Sequence, residues 1–465
     1  MTAKKADYHP HPASFRDPAG FVFQSDRTWY RQVNEHYRED YLLLMESGLY
    51  AKATAKGLLL PHQEVEENKT GRSDWYKTLL PEQLSFISYP EEWSPAQLKE
   101  AALCTLTLLR LSVENGMVLK DATPRNIAFS GGKAVFIDTL SFQRHDPSHP
   151  WVAYRQFCEY FLYPLYLHHY HRSGTHRTFL AWPEGIPARE TLGLLPGRSR
   201  LRLGVWLHVF LPAKIRGDRK PQRPTPVFDK NKLLQLATNL EEIIRGMDIN
   251  APAGAGWSGY YEGTILSPAY LQEKEKIFRE WIQAIDFGSA LDLGANDGYF
   301  SRILAEKKGR VLATDADWIC MQALHRWIGD RPGSDIHVLC MDIVHPTPAA
   351  GFQNAERTSF TKRAISDLVV ALALVHHLVL GRNIPLALLA GYFAELTGTW
   401  LMIEFVPLTD EKSKEILRNK SDYPGQYDAV HFEERFLQYF RIERQASVPG
   451  TDRVLYLMRK KELIR

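Results

Sequence analysis

Apolar residues recur at three- and four-residue steps through LKEAALCTLTLLRLSVENG, residues 98–116, which is the period of a helix that buries one face. A Ser94-Pro95 start and an Asn115-Gly116 stop bound it, since serine caps and proline fits the first turn while glycine ends helices. Short apolar runs at 117–119 and 133–137 flank Ser130-Gly131-Gly132 and read as strand, loop, turn and strand. Two more helical stretches cover 230–246 and 268–285, and from there strands alternate with helices to the C-terminus. Such alternation predicts a largely parallel sheet with helices on both faces. Residues 1–85 mix aromatics, charges and brief apolar runs such as Leu58-Leu59-Leu60 with no sustained period, so their elements are assigned only loosely. Proline and glycine recur through 183–228, ending in RKPQRPTPVF, which predicts an extended connection and a domain seam near 212–228.

A chain of 465 residues is long for one domain and suggests two or three. Hydrophobic residues make up 45% and charged ones 24%, the balance of a globular protein with a sizeable core rather than a disordered or fibrous one. A net charge of +3 steers no polyanion, and no RNA-binding module is recognisable, so nucleic acid is not an expected partner. Cys104, Cys158, Cys320 and Cys340 are far apart with no CxxC pair, and fit reduced core thiols in a cytoplasmic setting better than disulfides or zinc. The N-terminus has no apolar signal-peptide core. The longest apolar run, 368–380, is interrupted by His376 and His377 and falls short of the roughly 20 residues that span a bilayer.

The run SALDLGANDGYFSRILAEKKG places a buried-strand signal at 290–293 and then turns through Gly294, Ala295, Asn296, Asp297 and Gly298 into a helix. Glycines at 294 and 298 let the backbone turn tightly and approach a ligand where a Cβ would clash. Asp315 ends the next strand, about twenty residues on, the spacing at which a carboxylate accepts from both ribose hydroxyls. A third strand ends in Asp342, placed to accept from an adenine amino group, and a fourth, 367–372, runs into His376-His377. A GxxxG turn by itself also suits a nicotinamide site, another nucleotide or plain packing.

These residues resemble the class I S-adenosylmethionine-dependent methyltransferases, with LDLGANDG as their first motif, TDAD their second, CMDI their third and DLVVALALVHHL their fourth. The absence of GxGxxG and the two further acidic strand ends speak against a nicotinamide enzyme. The resemblance implies S-adenosyl-L-methionine as cofactor, with Asp292 and the backbone of Gly294, Ala295, Asn296, Asp297 and Gly298 at the methionine moiety. It implies Asp315 at the ribose and Asp342 with Ile343 at the adenine, with Ala316 and Ala371 in the same site. No metal is implied there. His376 and His377 would face the methyl group, and His376 suits a general base for a hydroxyl or amine nucleophile; a histidine that merely satisfies backbone groups is the other reading. Glu404, in TWLMIEF, is either a third catalytic candidate or a structural carboxylate. In the tail, LTDEKSKEIL reads as a helix and RFLQYFRIERQ and DRVLYLMRK as closing strands, resembling the antiparallel end of that fold.

A second constellation lies in LKDATPRNIAFSGGKAVFIDTLSF, where Asp121 and Asn126 share a loop and Asp138 follows the next strand pair. It resembles the catalytic loop and metal aspartate of the protein-kinase and aminoglycoside-phosphotransferase superfamily. That likeness implies Mg-ATP, with Asp121 accepting the proton of a substrate hydroxyl and Asn126 and Asp138 holding the metal. The chain departs from the pattern: Leu119-Lys120 precede the aspartate, Asp138-Thr139-Leu140 replaces Asp-Phe-Gly, and no glycine-rich phosphate loop lies upstream. Lys52 and Lys56 are candidates for the phosphate-binding lysine, and a strand-turn-strand with loop-capping aspartates is the plain alternative. Across most of its length, with FISYPEEWSP, LKDATPRNI and WVAYRQFC, the chain resembles a group of bacterial methyltransferases related to nodulation proteins. A kinase-like domain joined to a methyltransferase also resembles O-antigen chain-terminating enzymes, in the reverse order.

From Arg198 to Arg223 stand eight cations and one acid, Asp218, around Trp206 and Phe210. Such a stretch, 198–223, suits an anionic membrane surface or phosphates, and equally a solvated cover over a domain junction. The expectation is therefore a kinase-like or substrate-binding α+β domain over 1–225, a helical linker over 226–270 and a Rossmann-like α/β methyltransferase domain over 271–465. The expected reaction is methyl transfer to an oxygen or nitrogen nucleophile of a small-molecule or glycan acceptor. A bifunctional kinase and methyltransferase, and a non-catalytic cofactor-sensing scaffold, stay open beside it.

Overall fold

The structure, a computed structural model, describes residues 8–214, 228–250, 268–331, 333–418, 420, 422–423 and 426–462. The chain divides into two compact units, Met1–Pro252 with Ala349–Arg357, and Ala253–Pro348 with Thr358–Arg465. Each has its own apolar core. Among the described residues, no helix is long and apolar enough to cross a membrane.

The first unit opens on a five-stranded antiparallel sheet in the order His9–Pro10, Gly20–Ser25, Thr28–Asn34, Trp75–Pro81, His62–Val65. The sequence masked this sheet because its strands do not alternate cleanly. Gly20–Ser25 buries only Gly20 and Phe23 and leaves Phe21 half-buried, while Trp29 on the next strand is exposed. The expected helix follows as Pro95–Glu114. Ser94 Oγ accepts from Gln97 N while the Gln97 side chain accepts from Ser94 N at 2.9 Å, so two otherwise orphaned amides are satisfied reciprocally. Leu98, Leu106, Leu109 and Val113 of this helix are fully buried. Behind it lie two short antiparallel pairs, Met117–Leu119 with Phe142–Arg144 and Ile127–Ser130 with Lys133–Phe136, the latter turning at Gly131-Gly132 as expected.

The domain boundaries differ from the expected ones. The helix Lys230–Arg245, assigned to a linker over 226–270, buries Leu233, Ala237, Leu240 and Ile244 in the core of the first unit. Spacings of four, three and four put these side chains on one stripe, and a stripe that apolar is more stable covered than bridging two domains. Much of the expected seam at 212–228, and residues 251–267 of the linker, lie outside the described residues.

The second unit is a seven-stranded sheet in the order Ile336–Cys340, Arg310–Asp315, Ser289–Leu293, Ser366–Ala371, Thr397–Phe405, Val454–Lys460, Phe440–Ser447. The first five strands run parallel and Val454–Lys460 runs antiparallel to both of its neighbours. Ile336–Cys340 is buried along its whole length, as continuous apolar strands are in sheets covered on both faces. One tail element shifts: the first residues of RFLQYFRIERQ close the helix Ala429–Phe436, and the strand starts at Phe440.

Candidate cofactor and acceptor site

The chain order 3-2-1-4-5 of the parallel strands puts Ser289–Leu293 at the centre, between Arg310–Asp315 and Ser366–Ala371. The connection from Ser289–Leu293 leaves at the C-terminal edge, where open α/β sheets bind their ligands at the reversal of strand order. Gly294 N and Ala295 N both donate to Thr314 O at 2.9 Å, which folds the turn back over the neighbouring strand. The turn needs left-handed backbone at Gly294, Asn296 and Gly298, with φ of 71°, 51° and 83°, a region open to glycine and tolerated by asparagine. A Cβ at Gly298 would stand 2.4 Å from Leu324 Cδ1. That glycine is therefore required by packing as well as by conformation.

Asp315 is brought to this turn. Its carboxylate accepts from Asn296 N at 2.9 Å and Asp317 N at 2.8 Å. Burial raises its pKa, and the backbone amides partly offset that. Asp292 is fully buried beneath the turn, bonded by Ser301 Oγ at 2.6 Å, and burial pushes its carboxyl up to about 6. Asp342 follows the outer strand and accepts from Val344 N and from Arg382 Nη2, each at 3.0 Å; Arg382 is more than half exposed. Ala316 and Ile343 directly follow the two acidic strand ends, and Ala371 closes the strand Ser366–Ala371. The expected cofactor residues thus gather at the C-terminal edge of four adjacent strands.

His376 and His377 sit just beyond Ala371, with ring centroids 4.2 Å apart. His376 is completely buried and neither ring nitrogen has a hydrogen-bond partner. Burial, His377 and the cations Arg453, Lys274 and Lys412 hold its pKa well below the usual imidazole value, so the ring is neutral at physiological pH. Glu404 is fully buried at the end of the next strand. One of its oxygens accepts from Lys274 Nζ at 2.6 Å and Ala373 N at 2.7 Å, the other from Tyr270 Oη at 2.8 Å. Arg453 donates to Tyr270 Oη at 2.9 Å and grips Asp410 through two bonds of 2.7 and 3.0 Å. Burial raises the Glu404 pKa, but Lys274 and Arg453 outweigh it and the carboxyl lies below its ordinary range. With every oxygen engaged, Glu404 organises the site rather than reaching into it.

Tyr270, Lys274, Asp410 and Arg453 were not legible as site residues. Tyr270 and Arg453 lie 183 positions apart, and no local motif links a helix start to a turn between closing strands. One backbone signal accompanies them: Ala373, which donates to Glu404, has φ of 50°, a strained value that alanine holds only when its surroundings impose it.

In the first unit, pairing of Leu119 with Phe142 brings the loop of Asp121 and Asn126 against Asp138. Asn126 Nδ2 donates to Asp121 Oδ2 at 3.2 Å and to Ser141 Oγ at 3.1 Å. Asp138 is ion-paired with Arg31 on the sheet, and also accepts from Ser141 Oγ and from Leu140 N at 3.2 Å. Burial raises its pKa, and Arg31, Ser141 and Leu140 N bring it below the usual range. Burial and the Asp138 charge raise Asp121, one of whose oxygens is buried without a hydrogen bond. The cation ion-paired with Asp138 is Arg31, and the Lys120 charge also acts on it; Lys52 instead bonds Asn115 Oδ1 at 2.7 Å, and Lys56 is exposed at a helix end. Both Asp138 oxygens are engaged, by Arg31, Ser141 Oγ and Leu140 N, so Mg-ATP would have to displace Arg31 to reach this carboxylate.

A largely parallel sheet in the order 3-2-1-4-5, with a glycine turn at its centre and buried carboxylates at its strand ends, defines the second unit as a Rossmann-like α/β domain. No family model matches the chain. It is 28% identical over 472 residues to "Nodulation protein NoeA" of Rhizobium meliloti (strain 1021), a match covering 97% of this chain and 96% of that protein. Among solved structures, it is similar to the N-methyltransferase NodS of Bradyrhizobium japonicum WM9, with 12% identity, a TM-score of 0.32, and coverage of 42% of this chain and 99% of that one. It is also similar to the magnesium protoporphyrin IX methyltransferase ChlM of Synechocystis PCC 6803 with bound SAH, at 13% identity and a TM-score of 0.31, over 41% of this chain and 84% of that one. WbdD matches at 15% identity and a TM-score of 0.29, over 44% of this chain and 43% of that one.

Proposed function

We propose that this protein is a class I methyltransferase that takes a methyl group from S-adenosylmethionine to an oxygen or nitrogen of a small-molecule or glycan acceptor. The observation that carries the reading is the bond from Asn296 N to Asp315 at 2.9 Å, which joins the glycine turn to the buried carboxylate where a ribose would lie. The motif resemblance in 280–465 supports the cofactor. Bound there, S-adenosylmethionine supplies an electrophilic methyl group. Asp315 would hold the ribose, Asp342 the adenine, and Asp292 with the turn backbone the methionine end. His376, neutral, buried and with both ring nitrogens unpaired, would accept a hydrogen bond from an acceptor group seated against it and orient that group, which for methyl transfer supplies much of the rate. Through Glu404, the ion network of Lys274, Glu404 and Arg453 holds Ala373, which lies between the strand Ser366–Ala371 and the helical turn that carries the histidines.

Calorimetric titration of S-adenosylhomocysteine into the full chain tests this. Asp315→Ala is expected to weaken binding by roughly 10–100-fold, the worth of hydrogen bonds to a charged group. With a panel of glycans and amines, release of S-adenosylhomocysteine should fall on His376→Ala without loss of its binding. A folded wild-type protein that binds no S-adenosylhomocysteine would defeat the proposal.

A further inference from the structure

The basic stretch that the methyl-transfer reading leaves unused has a definite shape over its described part. After the turn Gly197–Leu201, helical backbone runs without a break through Leu203–Val205, Trp206–Phe210 and Leu211–Lys214. One side is fixed inward. Val205 and Val209 are fully buried in the core of the first unit, and the His208 ring bonds Tyr154 Oη at 2.7 Å and Asn239 Oδ1 at 2.8 Å. The other side is apolar where water would call for polar residues: Leu201 is 90% exposed, Leu203 68%, Trp206 42% and Leu211 38%.

Around these side chains stand Arg198, Arg200, Arg202 and Lys214, all exposed. No acidic residue occurs between Glu190 and Asp218, and among the described residues none of the four cations is in an ion pair. Lys214 Nζ lies 5.4 Å from the centre of the Phe210 ring. The patch thus combines uncompensated positive charge with protruding leucines and a tryptophan. A leucine that is nine-tenths exposed stands proud of its surroundings, and a rigid protein partner would need a matching pocket for it. A fluid acyl layer needs none, while arginines reach the phosphates beside it.

We propose that Arg198–Lys214 is a membrane-docking face that seats the protein on an anionic phospholipid surface, with Leu201, Leu203 and Trp206 entering the acyl boundary and Arg198, Arg200 and Arg202 at the phosphates. This face is independent of the methyl-transfer site. Co-sedimentation of the full-length protein with vesicles of phosphatidylcholine alone, and of equimolar phosphatidylcholine and phosphatidylglycerol, tests it. The protein should pellet with the anionic vesicles and stay in solution with the neutral ones, and rising salt should release it. The variant Arg198→Glu, Arg200→Glu, Arg202→Glu should lower the partition coefficient more than about tenfold, and Leu201→Ser with Leu203→Ser should lower it comparably. All replaced side chains are exposed, so thermal unfolding and S-adenosylhomocysteine affinity should match the parent and show that the fold is intact. Equal partition onto both vesicle types, or an unchanged partition in either variant, overturns the proposal; so does an apolar face satisfied by self-association with no vesicle binding.

Discussion

At the scale of single residues, the buried carboxylates are where sequence and surroundings diverge most. Asp292 has an ordinary carboxyl pKa in an unfolded chain, yet burial in the folded one pushes it up to about 6. Between these values the folded state holds more protons than the unfolded one, so the second unit loses stability as pH rises from about 4 to about 6. Asp292→Asn should flatten that slope in urea titrations followed across this range. If Asp292 serves the methionine end, S-adenosylhomocysteine affinity should also fall as the pH drops through about 6 in the parent protein and not in the variant. Gly298 is constrained twice, by φ of 83° and by Leu324. Gly298→Ala is expected to destabilise by roughly 2–4 kcal/mol, combining a left-handed alanine with overpacking, as a lowered melting temperature would show. The glycine itself was legible from its place after a strand; its neighbour Leu324 was not, because a packing partner one helix away leaves no mark on the local pattern.

At the scale of elements, periodicity succeeded where one face is apolar and the other polar, or where a strand is apolar throughout. Pro95–Glu114 and the parallel strands were readable for that reason. The N-terminal sheet was not, since aromatic side chains remain half-exposed on its surface and blur the two-residue period. The helix Pro268–Ala284 was readable, but its chemical role was not: it carries Tyr270 and Lys274 to Glu404 on the strand Thr397–Phe405. Lys274→Met leaves Glu404 with one fewer cation in a fully buried site, and removing one partner of a buried pair costs about 3–5 kcal/mol. Chemical denaturation should register that loss, and Glu404→Leu added to Lys274→Met should recover part of it. Such recovery would mark the pair as positioning machinery; if the double change were as unstable as the sum of the single ones, the two residues would not act as a pair.

At the scale of the whole molecule, two cores predict two unfolding events. A ligand that binds one folded unit shifts that unit's transition alone. Scanning calorimetry with S-adenosylhomocysteine should therefore move one of two endotherms upward. Leu240→Ala, in the core of the first unit, should lower the other by an amount corresponding to about 2–5 kcal/mol. A single transition that moves as one under both treatments would show the units to unfold as a single cooperative body.

The sequence by itself determined the alternating second unit, its glycine turn and the acidic residues at its strand ends, because each depends on neighbours within a few positions along the chain. Backbone period, turn chemistry and strand-end placement are local quantities. Only the tertiary structure decided that Glu404 is held by Lys274, Tyr270 and Ala373, that Arg31 faces Asp138, that the helix Lys230–Arg245 belongs to the first core, and that Leu201 and Leu203 face outward. Those outcomes turn on desolvation and on charges brought together from distant parts of the chain, and a side chain's surroundings, not its type, set whether it is an ion-pair partner, a free ligand or a docking surface.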